Sequence, residues 1–330
     1  MSDLCVNLAD DIYYQDDYSS LYALNGEEVF NFEYVQNSNR ILFRSIKRRI
    51  KNVAGIIIDE ELYDLETPYG YGGPITNCYS EKFLGDAFLA YRKECIKQNI
   101  VCEFIRFHPF NKLAQYKDYF DFHAQERKVV IVDLTLNTED RWSKYSKTTR
   151  NILRKANKNL SRKKDEDSLV EFCSLYQQTM DKNDASDFYY FKPNYFEKLK
   201  DVQGVELLSV MNELTVVSSG FFMHGSDIAH YHLSANNSEF NRENGNYALL
   251  DFAFDHAKEQ GCKWMMLGGG RTSDENDSLF KFKSKFSDKS LPFFIGGLTF
   301  LPEKRTKLNS MWRQENPDSQ LKLFQLYRNS

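Results

Sequence analysis

The stretch 230–270 constrains the fold most, because about forty residues there combine a strand, a polar loop, a helix and a second strand. Residues 228–233 are rich in strand-forming residues and are followed by a cluster of turn residues. From Asn246 onward, apolar residues recur at helical spacing until Gly261, which predicts an amphipathic helix. Residues 262–267 are a short apolar run, which predicts a buried strand.

The polar loop that opens this helix is where chemistry can enter. A glycine at such a position, here Gly245, lets backbone N–H groups converge on one point, and the helix dipole adds partial positive charge there. Arg242 adds a fixed cation. We therefore expect a pyrophosphate to be bound by four neighbouring residues, Arg242, Gly245, Asn246 and Tyr247. The alternative is an ordinary solvated loop with a glycine turn.

Two patterns in the chain resemble those of known acyltransferases. Residues 242–247 resemble the motif with which GNAT acyltransferases hold the pyrophosphate of coenzyme A, although that family has Gly or Ala where Tyr247 stands. A longer series resembles the FemABX aminoacyltransferases and their polysaccharide-cluster and BioF2-like relatives. Its members, in chain order, are the basic segment 144–156, the strand residues 231–234, the helix start 247–250, the glycine run 267–270 and the segment 279–286, which reads Leu-x-x-Phe-Lys-x-x-Phe.

On these matches the chain is identified as a member of the FemABX-like, GNAT-type acyltransferase superfamily. The resemblance implies an α+β fold with two tandem GNAT-like (acyl-CoA N-acyltransferase) domains, each a mixed, mostly antiparallel sheet flanked by helices. Ser287 stands where the family usually has glycine, so the local loop geometry is expected to differ there.

Length and an internal repetition both predict two domains. A chain of 330 residues is long for a single core. The order strand, glycine-bearing loop, helix, strand occurs at 60–107 and again at 228–267, which indicates two copies of one fold. We place an N-terminal GNAT-like domain at 1–136 and a C-terminal GNAT-like domain, with the candidate donor site, at 137–330.

The most unusual composition lies at 67–74, where two prolines and three glycines surround Tyr69 and Tyr71. Such a segment forms a structured irregular loop, and tyrosines on it offer flat amphipathic surfaces to a ligand. Tyr69 and Tyr71 are therefore candidate substrate-binding residues. The alternative is a rigid turn whose tyrosines pack against the protein itself.

A predicted helix at 140–158 carries cations on several faces, among them Arg150 and Arg154. Long cationic side chains are suited to the phosphates of a nucleotide sugar, a lipid carrier or a tRNA acceptor stem. The alternative is a solvated helix face, and the acids at 165–167 would weaken a broad nucleic-acid field. Arg271, directly after the glycine run, is a further candidate for binding an acceptor carboxylate or phosphate.

Amide formation from an activated acyl group requires a neutral amine and stabilisation of an oxyanion. Backbone N–H groups at a bulge of the central strand can supply that stabilisation without a side-chain nucleophile. His230 and His232 share a strand face, so that one of them could accept the amine proton; the alternative is a buried, hydrogen-bonded histidine. Lys283 occupies the motif lysine, which the resemblance associates with the catalytic cleft. We expect no metal, because no cluster has metal-ligand spacing.

Composition indicates more about the cellular compartment of the protein than about its binding partners. The net charge of −4 neither requires nor excludes nucleic acid. The six cysteines lack C-x-x-C spacing and are expected to be reduced. The chain has no apolar run of eighteen residues and an acidic start, which favours a cytoplasmic protein without a transmembrane segment. Peripheral contact with a membrane-bound substrate stays open, and the oligomeric state is unknown.

Our leading interpretation is an N-acyltransferase that transfers an acyl group, most simply acetyl, from acyl-CoA to the amine of an amino sugar. The sugar is free or a nucleotide- or lipid-linked precursor in cell-surface polysaccharide biosynthesis. The alternative is a FemABX-type aminoacyltransferase that takes its acyl group from aminoacyl-tRNA for a cell-wall or polysaccharide precursor. A third interpretation is a catalytically silent binding module that kept the fold.

Overall fold

The computed structural model describes residues 6–24, 26–164, 168–182 and 190–329, so the acidic run 165–167 lies outside the described residues. In chain order the strands are β1 (Glu28–Gln36), β2 (Asn39–Arg49), β3 (Asn52–Val53), β4 (Ile56–Ile57), β5 (Tyr63–Glu66), β6 (Ile75–Thr76), β7 (Ile100–Arg106), β8 (Phe122–Asp133), β9 (Ser161–Lys164), β10 (Val205–Asn212), β11 (Thr215–His224), β12 (Ile228–Asn236), β13 (Trp264–Gly268) and β14 (Ser290–Thr299). The α-helices are α1 (Asp16–Ser20), α2 (Glu81–Lys97), α3 (Thr138–Ser143), α4 (Lys147–Asn159), α5 (Leu169–Lys182), α6 (Pro193–Lys200), α7 (Gly245–Glu259), α8 (Ser278–Lys283) and α9 (Pro302–Glu315).

The chain divides into two compact units. Unit 1 comprises Met1–Ile12 and Arg127–Leu291, and unit 2 comprises Tyr13–Glu126 and Pro292–Ser330. This division differs from the single boundary predicted at residue 136, because the chain returns to unit 2 near its end. There β14 pairs with β7, an association over nearly two hundred residues that local sequence patterns do not reveal.

Unit 1 is built on a mixed sheet in which most neighbouring strands are antiparallel. The hairpin β10–β11 pairs on one side with β9 and on the other with β12. β12 is parallel to β13, which then pairs in antiparallel fashion with the end of β8. Helix α7 connects the two parallel strands, as a crossover between parallel neighbours must.

The core of unit 1 forms where α4 and α7 cover this sheet. Helix α7 has the predicted apolar spacing, and Leu250, Ala253 and Phe254 are fully buried. They pack with Phe222 from β11 and with Phe286, which follows α8. Burial of each large apolar side chain contributes about 1.5–3 kcal/mol.

Unit 2 repeats this order of elements. β1, β2 and β5 form an antiparallel series, and β5 is parallel to β7, to which helix α2 connects it. The apolar face of α2 packs Phe83, Leu84 and Tyr91 into an aromatic core. The short strands β3 and β4 form a hairpin, whose turn residues Ala54 and Gly55 lie in the left-handed region.

The single helix predicted at 140–158 is two helices, α3 and α4. The break occurs at Ser146, whose hydroxyl accepts a hydrogen bond from the backbone N–H of Thr149 at 3.1 Å and thereby caps α4. The Arg150 guanidinium donates to the carbonyls of Ser143 and Tyr145 at the end of α3. Ser146 is a typical N-cap residue, but helical spacing on both sides of it led to the prediction of one continuous helix.

Candidate active site

The two parallel strands of unit 1 separate soon after they meet. Pairing between β12 and β13 covers Ile228 to His230 on the first strand and Trp264 to Met266 on the second. Beyond these pairs both strands continue without further pairing to each other. We call the gap between Tyr231 and His232 on one side and residues 268–270 on the other the opening. Residues 268–270 are half-buried.

A β-bulge lies on β12 at the start of this opening. Phe221 of β11 pairs with Leu233, whereas the next residue, Phe222, pairs with Tyr231, so His232 is the extra residue. A bulge leaves backbone polar groups of the extra residue outside the ladder. The sequence interpretation expected backbone N–H groups at such a bulge to stabilise the oxyanion, and that role stays a prediction.

Lys283 lies between the two diverging strands. Its Nζ donates a hydrogen bond at 2.8 Å to the carbonyl of Gly269, just beyond β13, and lies 5.9 Å from the centroid of the Tyr231 ring on β12. Asp277 positions the short helix α8 that carries this lysine. Its carboxylate accepts hydrogen bonds from the backbone N–H groups of Leu279 and Phe280 at 2.9 and 3.0 Å.

The glycine run shapes the strand end that receives Lys283. A Cβ atom at Gly269 would lie 2.7 Å from Cδ of Arg127 and 2.8 Å from the carbonyl oxygen of Lys128, so a larger residue does not fit. Arg127 also donates to the carbonyl of Gly270 at 2.5 Å. The close approach of β8 therefore explains why glycine is needed beyond β13.

Burial makes Lys283 a weak base that is poised near neutral pH. The side chain is only 7% exposed. Desolvation, with a smaller contribution from the nearby Arg127 cation, lowers the pKa of Lys283 to about 7, and Asp277 partly opposes the shift. A lysine with this pKa is substantially neutral at pH 7, and its amine can then accept a proton.

The two predicted histidines differ in their surroundings. His230 is buried, and its Nε2 lies 2.7 Å from an Asp11 carboxylate oxygen in the same unit. His232 Nε2 lies 3.2 Å from the Tyr195 hydroxyl. Desolvation lowers the pKa of His232 to about 3, with a smaller contribution from His230, so that this imidazole is neutral but too weak a base to compete with Lys283.

The predicted pyrophosphate loop leads from β12 into α7. Arg242 is exposed at the end of a 3₁₀ turn, Ser238–Glu243. Asn244 is in the left-handed conformation at the N-cap of α7, and its side chain donates to the Arg242 carbonyl and does not cap the helix. The first turn of α7 therefore lacks a side-chain cap. Asn246 is half-buried in that turn.

Gly245 and Tyr247 make contacts that sequence spacing alone did not predict. A Cβ atom at Gly245 would lie 2.6 Å from Cγ1 of Val217, so glycine allows α7 to approach β11 closely. The Tyr247 ring is buried in the core of unit 1 and its hydroxyl accepts a hydrogen bond from Lys285 at 2.8 Å. Its backbone N–H donates to the Asn244 carbonyl, so both the N–H and the hydroxyl of Tyr247 have partners within the protein.

The basic residues of the segment 141–164 have unequal environments. Arg141 is buried and pairs with Asp255 at 2.7 Å, and Arg162 pairs with Asp255 at 2.9 Å. Arg150 binds backbone carbonyls, as described above. Arg154 is exposed and contacts Asn151, and Arg271 is exposed beyond the glycine run. The exposed cations of the segment therefore lie at Lys144, on α4 and on β9.

A pocket of about 350 Å³ lies in unit 1 near the start of α4. Its walls include four cationic residues, Arg141, Lys144, Lys285 and Lys289. Asp133 and Asp288 also line it, and Lys289 is paired with Asp133 at 2.7 Å. Because Arg141 and Lys289 are paired with Asp255 and Asp133, the attraction of this pocket for an anionic group depends on Lys144 and Lys285.

The predicted tyrosines Tyr69 and Tyr71 belong to unit 2. The backbone carbonyl of Tyr69 accepts a hydrogen bond from the Tyr18 hydroxyl at 2.7 Å. The Tyr71 ring makes edge contacts with His108 and Phe293 at centroid distances of 5.7 and 5.2 Å. Both tyrosines are half-buried in the structured loop that the composition predicted.

Sequence reasoning missed Arg127, Tyr231 and Asp277 as members of the site. Tyr231 was part of a recognised motif, whereas no sequence pattern around Arg127 indicated a role in the site. Asp277 had a readable signal, because an aspartate before a run of helical spacing is a typical N-cap.

Comparison with known proteins agrees with this geometry. The model of the FemAB family matches residues 203–302, which contain β12, α7, β13 and Lys283. The structure of FemX superposes on the whole fold, with a TM-score of 0.70 and 14% identity over 93% of this chain and 95% of FemX. Residues 203–302 are therefore similar to the FemAB family, and the chain shares the fold of FemX.

Two further solved structures share the FemABX-like fold. One is the C-terminal domain (DUF2156) of a putative lysylphosphatidylglycerol synthetase from Agrobacterium fabrum, with a TM-score of 0.56 and 16% identity over 93% of this chain and 94% of that one. The other is a conserved protein of unknown function from Bacteroides thetaiotaomicron, with a TM-score of 0.54 and 12% identity over 91% and 94%. No curated protein matches the sequence.

The fold confirms the predicted α+β class, and the match to the FemAB family model supports the predicted superfamily and the assignment as an acyl or aminoacyl transferase. Mostly antiparallel strands flanked by helices are present as expected. That each unit is a GNAT-like module stays a prediction, as do the individual site residues. Across the described ranges, every helix is too short or too polar to cross a membrane.

Proposed function

We propose that this protein is an N-acyltransferase that transfers an acyl group, most simply acetyl, from acyl-CoA to the amine of an amino sugar or its nucleotide- or lipid-linked precursor. The product serves cell-surface polysaccharide assembly in the cytoplasm. The observation that carries the proposal is Lys283, a buried amine held by Gly269 in the opening between β12 and β13. A proton acceptor at such an opening is what amide formation requires.

In this reaction the acceptor amine attacks the acyl carbon, and a carbon–nitrogen bond forms while the carbonyl electrons move to oxygen. The nitrogen loses a proton to the neutral amine of Lys283. When the carbonyl re-forms, the carbon–sulfur bond breaks and the thiolate of coenzyme A leaves. Lys283 then returns its proton to the thiolate or to water, so the enzyme ends in its initial protonation state.

The β-bulge at His232 supports stabilisation of the negative charge that develops on oxygen. Backbone N–H groups fixed by a sheet need no reorganisation when the charge appears, which makes them effective oxyanion donors. The loss of one such donor typically costs about 10²–10³ in kcat. The hydrogen bond between His230 and Asp11 fixes β12 at the last residue that still pairs with β13.

The donor's phosphates are assigned to the first turn of α7, with Arg242 beside it. The uncapped turn, the helix dipole and an exposed guanidinium together provide attraction for a pyrophosphate. Gly245 contributes by bringing the helix close to β11, and Asn246 offers its backbone and side chain. The acyl group then extends toward Lys283.

The acceptor is assigned an anionic portion, because the cationic pocket near α4 offers a place for a phosphate or carboxylate. A nucleotide- or lipid-linked amino sugar carries such phosphates. Arg154 and Arg271, both exposed, are the further candidates for the same role. Contact with a lipid-linked acceptor would be peripheral.

A second candidate is aminoacyl transfer from aminoacyl-tRNA, which the family match and the exposed cations of α4 favour. Lys147, Arg154, Lys155 and Lys158 are all exposed on that helix. Such a row can neutralise phosphates of an acceptor stem, with binding that weakens steeply as salt rises. The proton transfer to Lys283 would be the same.

The test is incubation of the purified protein with radiolabelled acetyl-CoA and a panel of amino-sugar nucleotides, and in parallel with charged tRNA and the same acceptors. Amide product from acetyl-CoA, abolished in Lys283→Met, is the expected result. Product from charged tRNA alone would transfer the assignment to the second candidate. Binding of an acceptor without any product from either donor would contradict both and favour a catalytically silent binding module.

A further inference from the structure

Two histidines and a glutamate of unit 1 form a cluster that the acyl-transfer site does not use. Glu206 stands on β10, His224 is the last residue of β11, and His256 lies in the last turn of α7. One ligand atom from each lies within 4.8 Å of the other two. They are 18 and 32 positions apart in the chain, so no sequence spacing predicted the cluster.

His224 is the unusual member. Its side chain is only 5% exposed, and neither ring nitrogen makes a well-formed hydrogen bond to a residue that the structure describes, although a weaker contact with the Gly204 backbone contributes to its pKa. The closest approach of a charged group is Glu206 Oε2, at 3.5 Å from Nδ1. A buried polar side chain without a well-formed hydrogen bond is costly, and such groups in native proteins usually face a bound water or ion.

We propose that Glu206, His224 and His256 bind a divalent transition-metal ion of the Zn²⁺ class. Two imidazole nitrogens with one carboxylate oxygen are a common three-residue set for zinc, which completes its tetrahedron with water. The direct hydrogen bond between His256 Nε2 and Glu206 Oε2 opens when the ion replaces the proton that the two groups share.

The neighbouring charges are compatible with an ion at this position. Lys164 Nζ lies 3.2 Å from the other carboxylate oxygen, Oε1, so it can retain that contact while Oε2 binds the ion. The Lys164 side chain is half exposed and free to withdraw from the added positive charge. Glu259 Oε2 lies 3.9 Å from His256 Nδ1, where it can orient the ring as outer carboxylates do in zinc sites.

The ion is assigned a structural role that goes beyond the proposed function and does not depend on it. His256 lies eleven residues after Gly245, the start of α7, which is about 16 Å along the helix axis. The ion would join β10, β11 and the C-terminal end of α7. The ion would thereby fix α7, the helix whose N-terminal end follows the predicted pyrophosphate loop.

The test uses Co²⁺ as a spectroscopic probe and Zn²⁺ as a competitor with the metal-stripped full chain. We expect visible d–d absorption of a tetrahedral Co²⁺ site at one equivalent, its loss on addition of Zn²⁺, and a higher Tm with Zn²⁺ than with chelator. His224→Gln and Glu206→Gln should each weaken binding by about 10- to 100-fold. His123→Gln, the same change in unit 2, is the control and should bind normally.

Two results would overturn the assignment. One is the absence of saturable Co²⁺ binding in the wild-type chain, which would leave water as the partner of His224. The other is equal affinity in the wild-type protein and in both glutamine variants, which would locate the ion elsewhere. Circular dichroism of the variants separates lost binding from lost folding, and Glu206→Gln keeps a hydrogen-bonding group for His256 if His224→Gln does not fold.

Discussion

The two strand–loop–helix–strand motifs of this molecule have the same order of elements, but they differ in whether their two parallel strands stay joined beyond the first pairs. In unit 1, β12 and β13 stop pairing after His230 and Met266, and the opening beyond them holds Lys283. In unit 2, the segment after β5 continues to bond with β7. The N–H of Thr67 donates to the Phe104 carbonyl at 3.1 Å, and the N–H of Gly72 donates to the Arg106 carbonyl at 2.7 Å.

The loop 67–74 therefore closes in unit 2 the space that stays open in unit 1. Gly72 forms a parallel bridge with Phe107, and a Cβ atom at Gly73 would lie 2.8 Å from the Phe107 ring. The rigid-turn alternative for Tyr69 and Tyr71 gains support from this packing. Their role in substrate binding stays a prediction.

Each motif also buries one titratable side chain, with different consequences. Glu103 of β7 accepts hydrogen bonds from Ser45 at 2.5 Å and Tyr91 at 2.9 Å in a closed core. Lys283 is also buried, but it lies beside the gap where β12 and β13 no longer pair. A shared topology therefore does not define the site, because the opening depends on the chain segment directly after the first parallel strand.

The largest effect is expected for Lys283→Met, which removes the proton acceptor at nearly constant volume. The kcat should fall about 10²–10⁴-fold, the usual contribution of a positioned acid or base. Lys281→Met, on the exposed face of the same helix α8, is the matched control and should retain activity. An active Lys283→Met enzyme would remove this lysine from the mechanism.

The same substitution should stabilise the protein in a pH-dependent way. The pKa of Lys283 is about 7 in the folded chain and near 10.5 when unfolded, so the native state binds fewer protons between these values. Wild-type stability therefore rises with pH from 7 to 10.5. The gain of Lys283→Met should be largest below pH 7, up to about 5 kcal/mol, and should vanish above pH 10.5. Urea unfolding at several pH values measures it, and a pH-independent difference would contradict the burial argument.

Glu103→Gln should stabilise unit 2 without affecting catalysis. Burial raises the pKa of Glu103 to about 7 from an ordinary value of 4.5, so the native state binds more protons within that range and wild-type stability falls as pH rises through it. The variant should gain up to about 3 kcal/mol above pH 7 and nothing below pH 4.5. A change in kcat comparable with that of Lys283→Met would show that unit 2 also takes part in the chemistry.

Gly73→Ala should destabilise the closed motif. Gly73 and Gly55 both have positive φ, at +86° and +84°, but only Gly73 has a neighbour within 4 Å. Alanine therefore adds backbone strain at both positions and a steric clash at one. We expect Gly73→Ala to cost about 2 kcal/mol more than Gly55→Ala in thermal unfolding. Equal costs would indicate that the loop 67–74 does not pack tightly against β7.

The smallest effect is expected for Arg242→Ala. Loss of one exposed cation beside the first turn of α7 should weaken binding of coenzyme A severalfold, measured by calorimetry, with a smaller effect at high salt. Arg40→Ala, an exposed arginine of unit 2, should have no effect. Unchanged affinity in Arg242→Ala would remove the pyrophosphate assignment.

Local patterns predicted the parts of the fold that depend on neighbours in the chain. Helix α7 and its flanking strands were readable because their apolar residues follow a regular period. The partner of His230 was not, because Asp11 lies 219 positions away. The same holds for the return of β14 to β7 and for the contact of Arg127 with Gly270.

The candidate site was predictable in part. Lys283 was found through its motif, but the reason for its low pKa lies in packing that brings α8, β12 and β8 together. Gly245 was recognised as essential to its loop, whereas its contact with Val217 depends on the approach of another strand. His232 was expected to act through its side chain, which stays a prediction, and the bulge that makes it the extra residue depends on pairing with β11 that local patterns do not show.

Hydrogen–deuterium exchange with and without the donor that yields product distinguishes the open motif from the closed one. If the donor binds in unit 1, peptides covering 231–247 and 268–283 become protected, and those covering 63–74 and 100–108 in unit 2 do not change. Protection confined to the unit 2 peptides would contradict the assignment of the donor to unit 1, because the donor would then occupy the motif that the loop closes.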